Sequence, residues 1–213
     1  FAEAVVAGNS PVNGCPVGGA DVAKKIAEIM GVEATDVEAK VARVLCGGTN
    51  DTCRKKFDYE GIHDCLAAAN LYGGPSACNY GCVGLGNCAR ACSFDAIVIE
   101  NGLARVIDMK CTGCGKCVAA CPKKIIEMVP ISAEYTVCCS STDRGNIVRQ
   151  NCDVGCIGCG RCVRACPSGA IELKDNLAKI NPALCTNCGE CAKVCPTKTI
   201  QVFLCGKLNQ SAV

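Results

Sequence analysis

Three stretches of the chain share one cysteine spacing, and the first is Cys111-Thr-Gly-Cys114-Gly-Lys-Cys117-Val-Ala-Ala-Cys121-Pro122. Three cysteines are each separated by two residues, and the fourth follows after three more, directly before a proline. The same spacing recurs in the runs 156–167 and 185–196. Cysteines this close are poorly placed for mutual disulfides. They are well placed to direct several sulfurs at one metal centre.

Cysteine dominates the composition, with 24 cysteines among 213 residues. No signal peptide and no run of 18 apolar residues is present, so a secreted disulfide scaffold is not indicated. A reducing environment with cysteines acting as metal ligands is expected instead. A net charge of +2 and a single histidine give no sign of a nucleic-acid-binding surface. With 4% aromatic residues and no Trp, stability must come partly from bound metal.

The spacing predicts [4Fe–4S] clusters of the bacterial ferredoxin type. In such runs three thiolates wrap three corners of a cubane, and the fourth cysteine ligates the other cluster of a pair. Zinc is the alternative, but zinc sites use separated cysteine pairs and often histidine. A thioredoxin-like redox motif is weaker still, because no βαβ pattern surrounds the cysteines.

The chain contains an internal duplication with an offset of 74 residues, as between Cys78 and Cys152. Nine cysteine pairs share it, including Cys65 and Cys139, which suggests a shared role for those two. Each copy predicts a strand, a two-residue turn and a returning strand, with turns at 101–102 and 175–176. One helical turn and a final strand follow, at 125–129 and 199–204. We therefore expect an α+β fold of tandem, loop-rich 2[4Fe–4S] ferredoxin-like modules. An N-terminal α/β segment, with a helix over 22–30 and a strand over 41–45, would cover them.

Crossed ligation assigns the clusters of the second module directly. One cluster takes Cys156, Cys159, Cys162 and Cys195, and its companion takes Cys185, Cys188, Cys191 and Cys166. Cys152 is a competing ligand for the place of Cys159, and the unbroken run favours Cys159.

The first module departs from the pattern because Leu85 stands where the second has Cys159. Cys78 lies just upstream, so we expect it to replace the missing ligand. This assigns one cluster to Cys78, Cys82, Cys88 and Cys121, and the other to Cys111, Cys114, Cys117 and Cys92.

Eight cysteines remain, and most are expected to be small buried residues. They are Cys15, Cys46, Cys53, Cys65, Cys138, Cys139, Cys152 and Cys205. His63 is expected to be a satisfied polar residue, and Gly84-Leu85-Gly86 is not a nicotinamide-binding motif. Basic residues beside the runs are either a solvated face or a surface for an acidic electron carrier. They are Lys110, Lys116, Lys123, Lys124, Arg161 and Arg164.

Three motifs resemble the B subunit of the Rnf complex: residues 9–19 (Asn-x-Pro-x-Asn-Gly-Cys-Pro-Val-Gly-Gly), 78–88 and 139–145. The resemblance implies a membrane-bound ferredoxin:NAD⁺ oxidoreductase coupled to Na⁺ or H⁺ translocation. It implies a location at the cytoplasmic face of the membrane, with an anchor before residue 1. It also implies that Cys15 is the last ligand of a further cluster, whose other ligands would precede Phe1.

The resulting domain prediction has four parts. Residues 1–19 are the remnant of an N-terminal 4Fe-4S domain and 20–77 a connecting segment. Residues 78–137 and 138–213 are the two modules. The chain would relay electrons from reduced ferredoxin through four clusters to other subunits, without a substrate or NAD site of its own. The rival interpretation is a polyferredoxin-type subunit of a soluble oxidoreductase or hydrogenase.

Overall fold

The computed structural model describes residues 1–33 and 38–203, and in these ranges it is built from short helices and two-stranded antiparallel sheets. This confirms the expected mixture of helix and strand. The end of the predicted last strand at Leu204, and Cys205, lie outside the described residues. No helix of the described ranges is long and apolar enough to cross a membrane.

Two helices precede the modules: α1 (Ala2–Val6) and α2 (Gly19–Met30). Helix α2 begins before the predicted start at Val22, and Asp21 lies in its first turn rather than at its N-cap. Gly31 ends it in the left-handed conformation (φ 65°), which glycine adopts without a steric penalty.

The first module contains a central hairpin and an outer strand pair. Strands β2 (Ile97–Glu100) and β3 (Leu103–Val106) form the hairpin, and both turn residues have positive φ, as a type I′ turn requires. Strand β1 (Lys40–Val44) pairs with β4 (Ile126–Pro130), so the connecting segment supplies a strand to this module. The helices are α3 (Cys65–Asn70), α4 (Asn87–Ala91) and α5 (Lys116–Ala120), with a 3₁₀ turn at Asp108–Lys110.

The second module repeats this plan. Strands β6 (Ile171–Lys174) and β7 (Leu177–Ile180) form its hairpin, and β5 (Tyr135–Val137) pairs with β8 (Ile200–Val202). Strand β5 falls within the range predicted for the first module, yet it pairs with the last strand of the second. The helices are α6 (Gly145–Asn151), α7 (Arg161–Ala165) and α8 (Glu190–Lys193).

Each module has its own core, formed by small aliphatic side chains and cysteines. Ile97, Leu103 and Ile126 pack with Cys88 and Cys117 in the first. The corresponding Ile171, Leu177 and Ile200 pack with Cys162 and Cys191 in the second. The cysteine runs are therefore anchored by the apolar faces of the hairpins.

Arg43 connects the two halves from a position that is only 1% exposed. Its guanidinium forms two hydrogen bonds with the carboxylate of Asp108, one of 2.9 Å, and lies 4.3 Å from the centroid of the Phe203 ring. A buried charge needs such a partner, because an unpaired one costs several kcal/mol (about 3–5). The ion pair between Arg43 and Asp108 holds β1 against the 3₁₀ turn. The contact of Arg43 with the Phe203 ring connects β1 to the end of the second module.

The segment between β1 and the first cysteine run lies between the modules as well as over the first. The backbone N–H of Arg54 donates to the carbonyl of Asn151 (2.9 Å), and that of Asp153 donates to Thr52 (2.9 Å). The backbones of Cys53 and Cys152 form an isolated antiparallel β-bridge, and both thiols are free. This connection places several cysteines outside the ferredoxin runs at the boundary between the modules.

Candidate cluster sites

One cavity in the second module is lined by the four thiols predicted for a single cluster: Cys156, Cys159, Cys162 and Cys195. We call it the Cys159 cavity. Gly158 and Gly160, both with positive φ, flank the outermost cysteine. Pro196, Ile200 and Leu173 form apolar parts of the wall, and Arg161, Thr197 and Thr199 also line the cavity. Its atom-free space is about 360 Å³, including the mouth.

The matching cavity of the first module is lined by Cys65, Cys82, Cys88 and Cys121, and we call it the Cys65 cavity. Its atom-free space is about 370 Å³, nearly that of its counterpart. Cys65 occupies the place for which the sequence favoured Cys78, which does not line this cavity. Leu85 still follows Gly84 and precedes Gly86, both with positive φ, so the loop is retained although its thiol is lost.

A hydrogen-bond network around the start of α3 positions Cys65. The carboxylate of Asp64 accepts the N–H groups of Leu66 and Ala67 at 2.8 and 2.9 Å, which caps the helix. Asn87 accepts the Cys65 N–H at 2.8 Å and donates to Asp64 at 2.7 Å. These N–H groups and the Asn87 amide hold the pKa of Asp64 below its usual range. The network therefore ties Cys65 to the helix that carries Cys88.

The companion sites lie at the other cysteine runs. In the first module Cys117 interacts with Cys111 and Cys114. In the second, Cys191 interacts with Cys185 and Cys188. Helix α4, which ends before Cys92, packs on α5, and α7, which ends before Cys166, packs on α8. The backbone N–H of Ala96 donates to Cys92 Sγ at 3.4 Å.

Burial changes the acidity of the thiols that face the cavities. Desolvation raises the pKa of Cys88 to about 12 and that of Cys191 to about 11. Without metal these groups are therefore neutral thiols at pH 7. Cys159 and Cys188, by contrast, are exposed, so each cluster site of the second module has one thiol at the surface.

A third cavity lies between the modules and is lined by cysteines that the ferredoxin runs leave unassigned. Its walls include Cys46, Cys53, Cys78, Cys139 and Cys152. We call it the inter-module cavity. Cys139 therefore lines a different cavity from Cys65, although an offset of 74 relates the two cysteines. Cys152, the competitor of Cys159, also lines this cavity and not the Cys159 cavity.

Several residues singled out in the sequence have simpler roles. The Lys123 ammonium donates to the carbonyls of Gly73 and Asn79 (2.7 Å to Asn79), and burial lowers its pKa. The Lys123 side chain therefore holds the loop that contains Gly73 and Asn79, and its charge is not free for a partner-binding surface. The carbonyl of His63 accepts from Arg90 at 3.0 Å. Cys15 lies half-buried in the loop between α1 and α2. Of the six basic residues beside the cysteine runs, the other five are exposed: Lys110, Lys116, Lys124, Arg161 and Arg164.

The thiols are spread around cavities rather than gathered at one point. In the described ranges no three His, Cys, Asp or Glu side chains converge closely enough to hold a single metal ion. The donor set at the Cys65 and Cys159 cavities, four thiols at each, is the one that [4Fe–4S] clusters use. The residues present therefore fit such clusters.

Comparison with known proteins agrees with this chemistry. A family described as "4Fe-4S dicluster domain" matches residues 155–199, and one described as "4Fe-4S binding domain" matches residues 104–127. These matches confirm the ferredoxin-type modules and their type of cluster.

Three curated relatives extend the comparison beyond the modules, and each is the B subunit of a redox complex. The chain is 47% identical over 186 residues to that of the Na(+)-translocating ferredoxin:NAD(+) oxidoreductase complex of Acetobacterium woodii (87% of this chain, 56% of that protein). It is 45% identical over 187 residues to that of the proton-translocating ferredoxin:NAD(+) oxidoreductase complex of Clostridium ljungdahlii (87% and 66%). It is 43% identical over 153 residues to that of the ion-translocating oxidoreductase complex of Methanosarcina acetivorans (71% and 58%).

The chain spans between 56% and 66% of the length of these relatives. The similarity includes the connecting segment as well as the cysteine runs. A generic ferredoxin would share the cysteine runs but not the connecting segment. The chain belongs to the family of Rnf-type B subunits of ion-translocating ferredoxin:NAD⁺ oxidoreductase complexes.

Proposed function

We propose that this chain is the electron-relay part of such a complex, which receives electrons from reduced ferredoxin and delivers them to other subunits. The observation that carries the proposal is the pair of four-thiol cavities at corresponding places of two duplicated modules. The names of the relatives supply the donor, ferredoxin, and the coupling to Na⁺ or H⁺ transport. The protein would work at the cytoplasmic face of the membrane.

The proposed ligands follow the cavities. Cys65, Cys82, Cys88 and Cys121 would hold one [4Fe–4S] cluster, with Cys65 in place of Cys78. Cys156, Cys159, Cys162 and Cys195 would hold a second. Two more would take Cys111, Cys114, Cys117 and Cys92, and Cys185, Cys188, Cys191 and Cys166. Each cluster supplies a one-electron carrier whose potential depends on the hydrogen bonds to its sulfurs and on solvent exposure.

The side chains of the protein would perform three tasks. Apolar walls formed by Ile99, Ile126 and Leu173 would exclude water from the sites. Backbone N–H groups donate to sulfur, as Ala96 does to Cys92, and would stabilise negative charge there. The exposed Cys159 and Cys188, with Arg161 and Arg164 nearby in sequence, would form the side approached by an acidic ferredoxin.

The proposal is tested by mixing the anaerobic protein with reduced ferredoxin and following the visible absorbance of both. A decrease in the visible absorbance of the bound clusters after mixing shows that ferredoxin reduces them, which supports the relay. A protein that contains iron but is not reduced by ferredoxin would rule out this donor. The double variant Arg161→Glu/Arg164→Glu should slow the reduction at low ionic strength and should flatten or invert its dependence on ionic strength relative to Lys174→Glu, an exposed control in β6.

A further inference from the structure

We propose that the inter-module cavity holds a fifth [4Fe–4S] cluster, ligated by Cys46, Cys78, Cys139 and Cys152, which connects the two modules. The inference deepens the proposed relay function and rests on it. This cluster is distinct from the one that the sequence resemblance attaches to Cys15. It concerns cysteines that the ferredoxin runs do not use.

The four cysteines form two pairs related by the internal duplication. Cys78 and Cys152 are separated by its offset of 74 residues. Cys46 and Cys139 correspond in structure although their offset differs. The N–H one residue before Cys46 donates to the carbonyl of Ile125, and the N–H one residue before Cys139 donates to that of Thr199. Ile125 and Thr199 are themselves related by 74, so β1 and β5 deliver equivalent cysteines to one place.

The surroundings of the Cys46 and Cys139 sulfurs show the same correspondence between the two copies of the duplication. The N–H of Cys82 donates to Cys46 Sγ at 3.4 Å. The backbone N–H of Cys156 favours the thiolate of Cys139. Cys82 and Cys156 correspond in the duplication, so the two thiols have related surroundings in the two modules.

The Sγ of Cys139 also accepts the N–H of Ser141, two residues later, at 3.5 Å. The backbone N–H groups of Gly48, Tyr80 and Val154 act on Cys46, Cys78 and Cys152 in the same sense, because each favours the thiolate over the thiol. Gly84 has this effect on Cys82, a proposed ligand of the Cys65 cavity. N–H groups directed at thiolate sulfur are the usual surroundings of a cluster.

The cavity has room for an occupant. It is larger than the Cys65 cavity, with about 800 Å³ of atom-free space including its mouth. Protein interiors are otherwise close-packed, and a cluster would supply contacts to the thiols around this space. A Cβ on Gly48 would stand 3.3 Å from Cys53 Cβ, 3.4 Å from Cys152 Sγ and 3.8 Å from Cys46 Sγ, so the backbone approaches these cysteines closely. Four irons and four sulfides would fill the space as the four thiols release their protons.

Cys53 and Cys138 are the neighbouring thiols that the proposal excludes. Cys53 lies outside the two related pairs, and its Sγ is 3.0 Å from Ser76 Oγ. Cys138 is 2% exposed and its Sγ donates to the carbonyl of Thr136 at 3.8 Å, within its own strand. Both lie beside proposed ligands and therefore serve as matched controls.

The direct test is native mass spectrometry of the anaerobically purified chain, supported by iron and sulfide analysis. A mass corresponding to four clusters from the ferredoxin runs and one more, about twenty irons per chain, is expected. Cys46→Ala and Cys139→Ala should each lower the iron by between about one and four per chain and retain the other clusters, whereas Cys138→Ala and Cys53→Ala should leave the iron unchanged.

A wild-type mass with four clusters would overturn the inference, whatever the variants do. Unchanged iron in both Cys46→Ala and Cys139→Ala would overturn it too. Loss of the cluster in Cys53→Ala but not in Cys139→Ala would overturn the ligand set. In all these cases reduction by ferredoxin would be untouched, so the relay function would stand. Absence of iron from the ferredoxin runs would instead overturn the relay function.

Discussion

The backbone N–H of Cys82 donates a hydrogen bond of 3.4 Å to the sulfur of Cys46. Cys82 lines the Cys65 cavity and Cys46 lines the inter-module cavity, so the bond joins two neighbouring thiol sites. In the second module the N–H of Cys156 favours the thiolate of Cys139, which lines the same inter-module cavity. Each ferredoxin module therefore has a cysteine run next to a thiol of this cavity.

Replacing Cys65 should remove one cluster of the first module. Cys65→Ala leaves three thiols at the Cys65 cavity, so one iron of the cubane loses its protein ligand and becomes labile. We expect the loss of one [4Fe–4S] signal by EPR and of between about one and four irons per chain. Cys78→Ala should leave that signal intact, because Cys78 lies in the inter-module cavity. A normal signal in Cys65→Ala, with its loss in Cys78→Ala, would restore the assignment favoured by the sequence.

A second substitution should rescue the first. Leu85 lies between two glycines of positive φ, as Cys159 does in the second module. The double variant Cys65→Ala/Leu85→Cys therefore offers a thiol from the loop side, and we expect it to regain the missing irons and EPR signal. Cys65→Ala/Val83→Cys is the control, since Val83 does not correspond to any ligand. Equal recovery in both would show that loop position is unimportant.

Asp64 should affect the cluster of the Cys65 cavity only by holding Cys65 in position. Asp64→Ala removes the cap of α3, which costs about 1 kcal/mol of helix stability, and releases Asn87. We expect faster loss of iron from the Cys65 cavity, with the signals of the second module unchanged. Asp64→Asn should retain much of the effect of the native cap, because asparagine also caps helices. Asp58→Ala, an exposed carboxylate in the same segment, is the control.

Iron retention should depend on pH through the buried thiols. Burial raises the pKa of Cys88 to about 12 and of Cys191 to about 11. Below these values a released thiol binds a proton, and the proton then competes with iron. Each fall of one pH unit multiplies this competition about tenfold per thiol.

The consequence is faster extraction of iron by a chelator at about pH 6 than at about pH 8. Stopped-flow absorbance of the cluster bands measures the rate. The sign follows from the raised pKa: lower pH favours the free, protonated thiol and therefore the cluster-free state. A rate that is constant over this range would contradict the proposed ligation by these thiols.

Arg43 should matter for stability far more than exposed charges do. Arg43→Ala leaves the carboxylate of Asp108, 15% exposed, without its partner and removes the contact with Phe203. We expect a loss of about 3–5 kcal/mol, seen as a lower midpoint of thermal unfolding of the cluster-loaded protein. Arg105→Ala breaks an exposed pair with Glu100 and should cost about 0–1 kcal/mol. Similar costs for both would contradict a structural role for the buried pair.

The sequence predicted the parts of the fold that local spacing determines. Hairpin turns and the helical turns before Pro122 and Pro196 lie within contiguous stretches of sequence. Spacing alone does not identify a site to which the chain brings a distant residue. Cys65 reaches the cavity because Asp64 and Asn87 fix the start of α3, and no spacing rule encodes that contact.

The duplication was also misleading upstream of the first cysteine run. The offset of 74 aligns Cys139 with Cys65, but strand pairing makes Cys139 the counterpart of Cys46. The connecting segment differs in length between the two copies, so a fixed offset cannot identify equivalent residues there. Pairing with β4 and β8 determines the correspondence, and this information is non-local.

The most direct test of the relay is an EPR-monitored redox titration of the anaerobic wild-type chain, with iron and acid-labile sulfide measured on the same sample. The account predicts spin-coupled [4Fe–4S] signals that develop at low potential, near that of ferredoxins at about −400 mV, and at least about sixteen irons per chain. A protein that contains zinc in place of iron, or whose clusters remain oxidised at that potential, would contradict it.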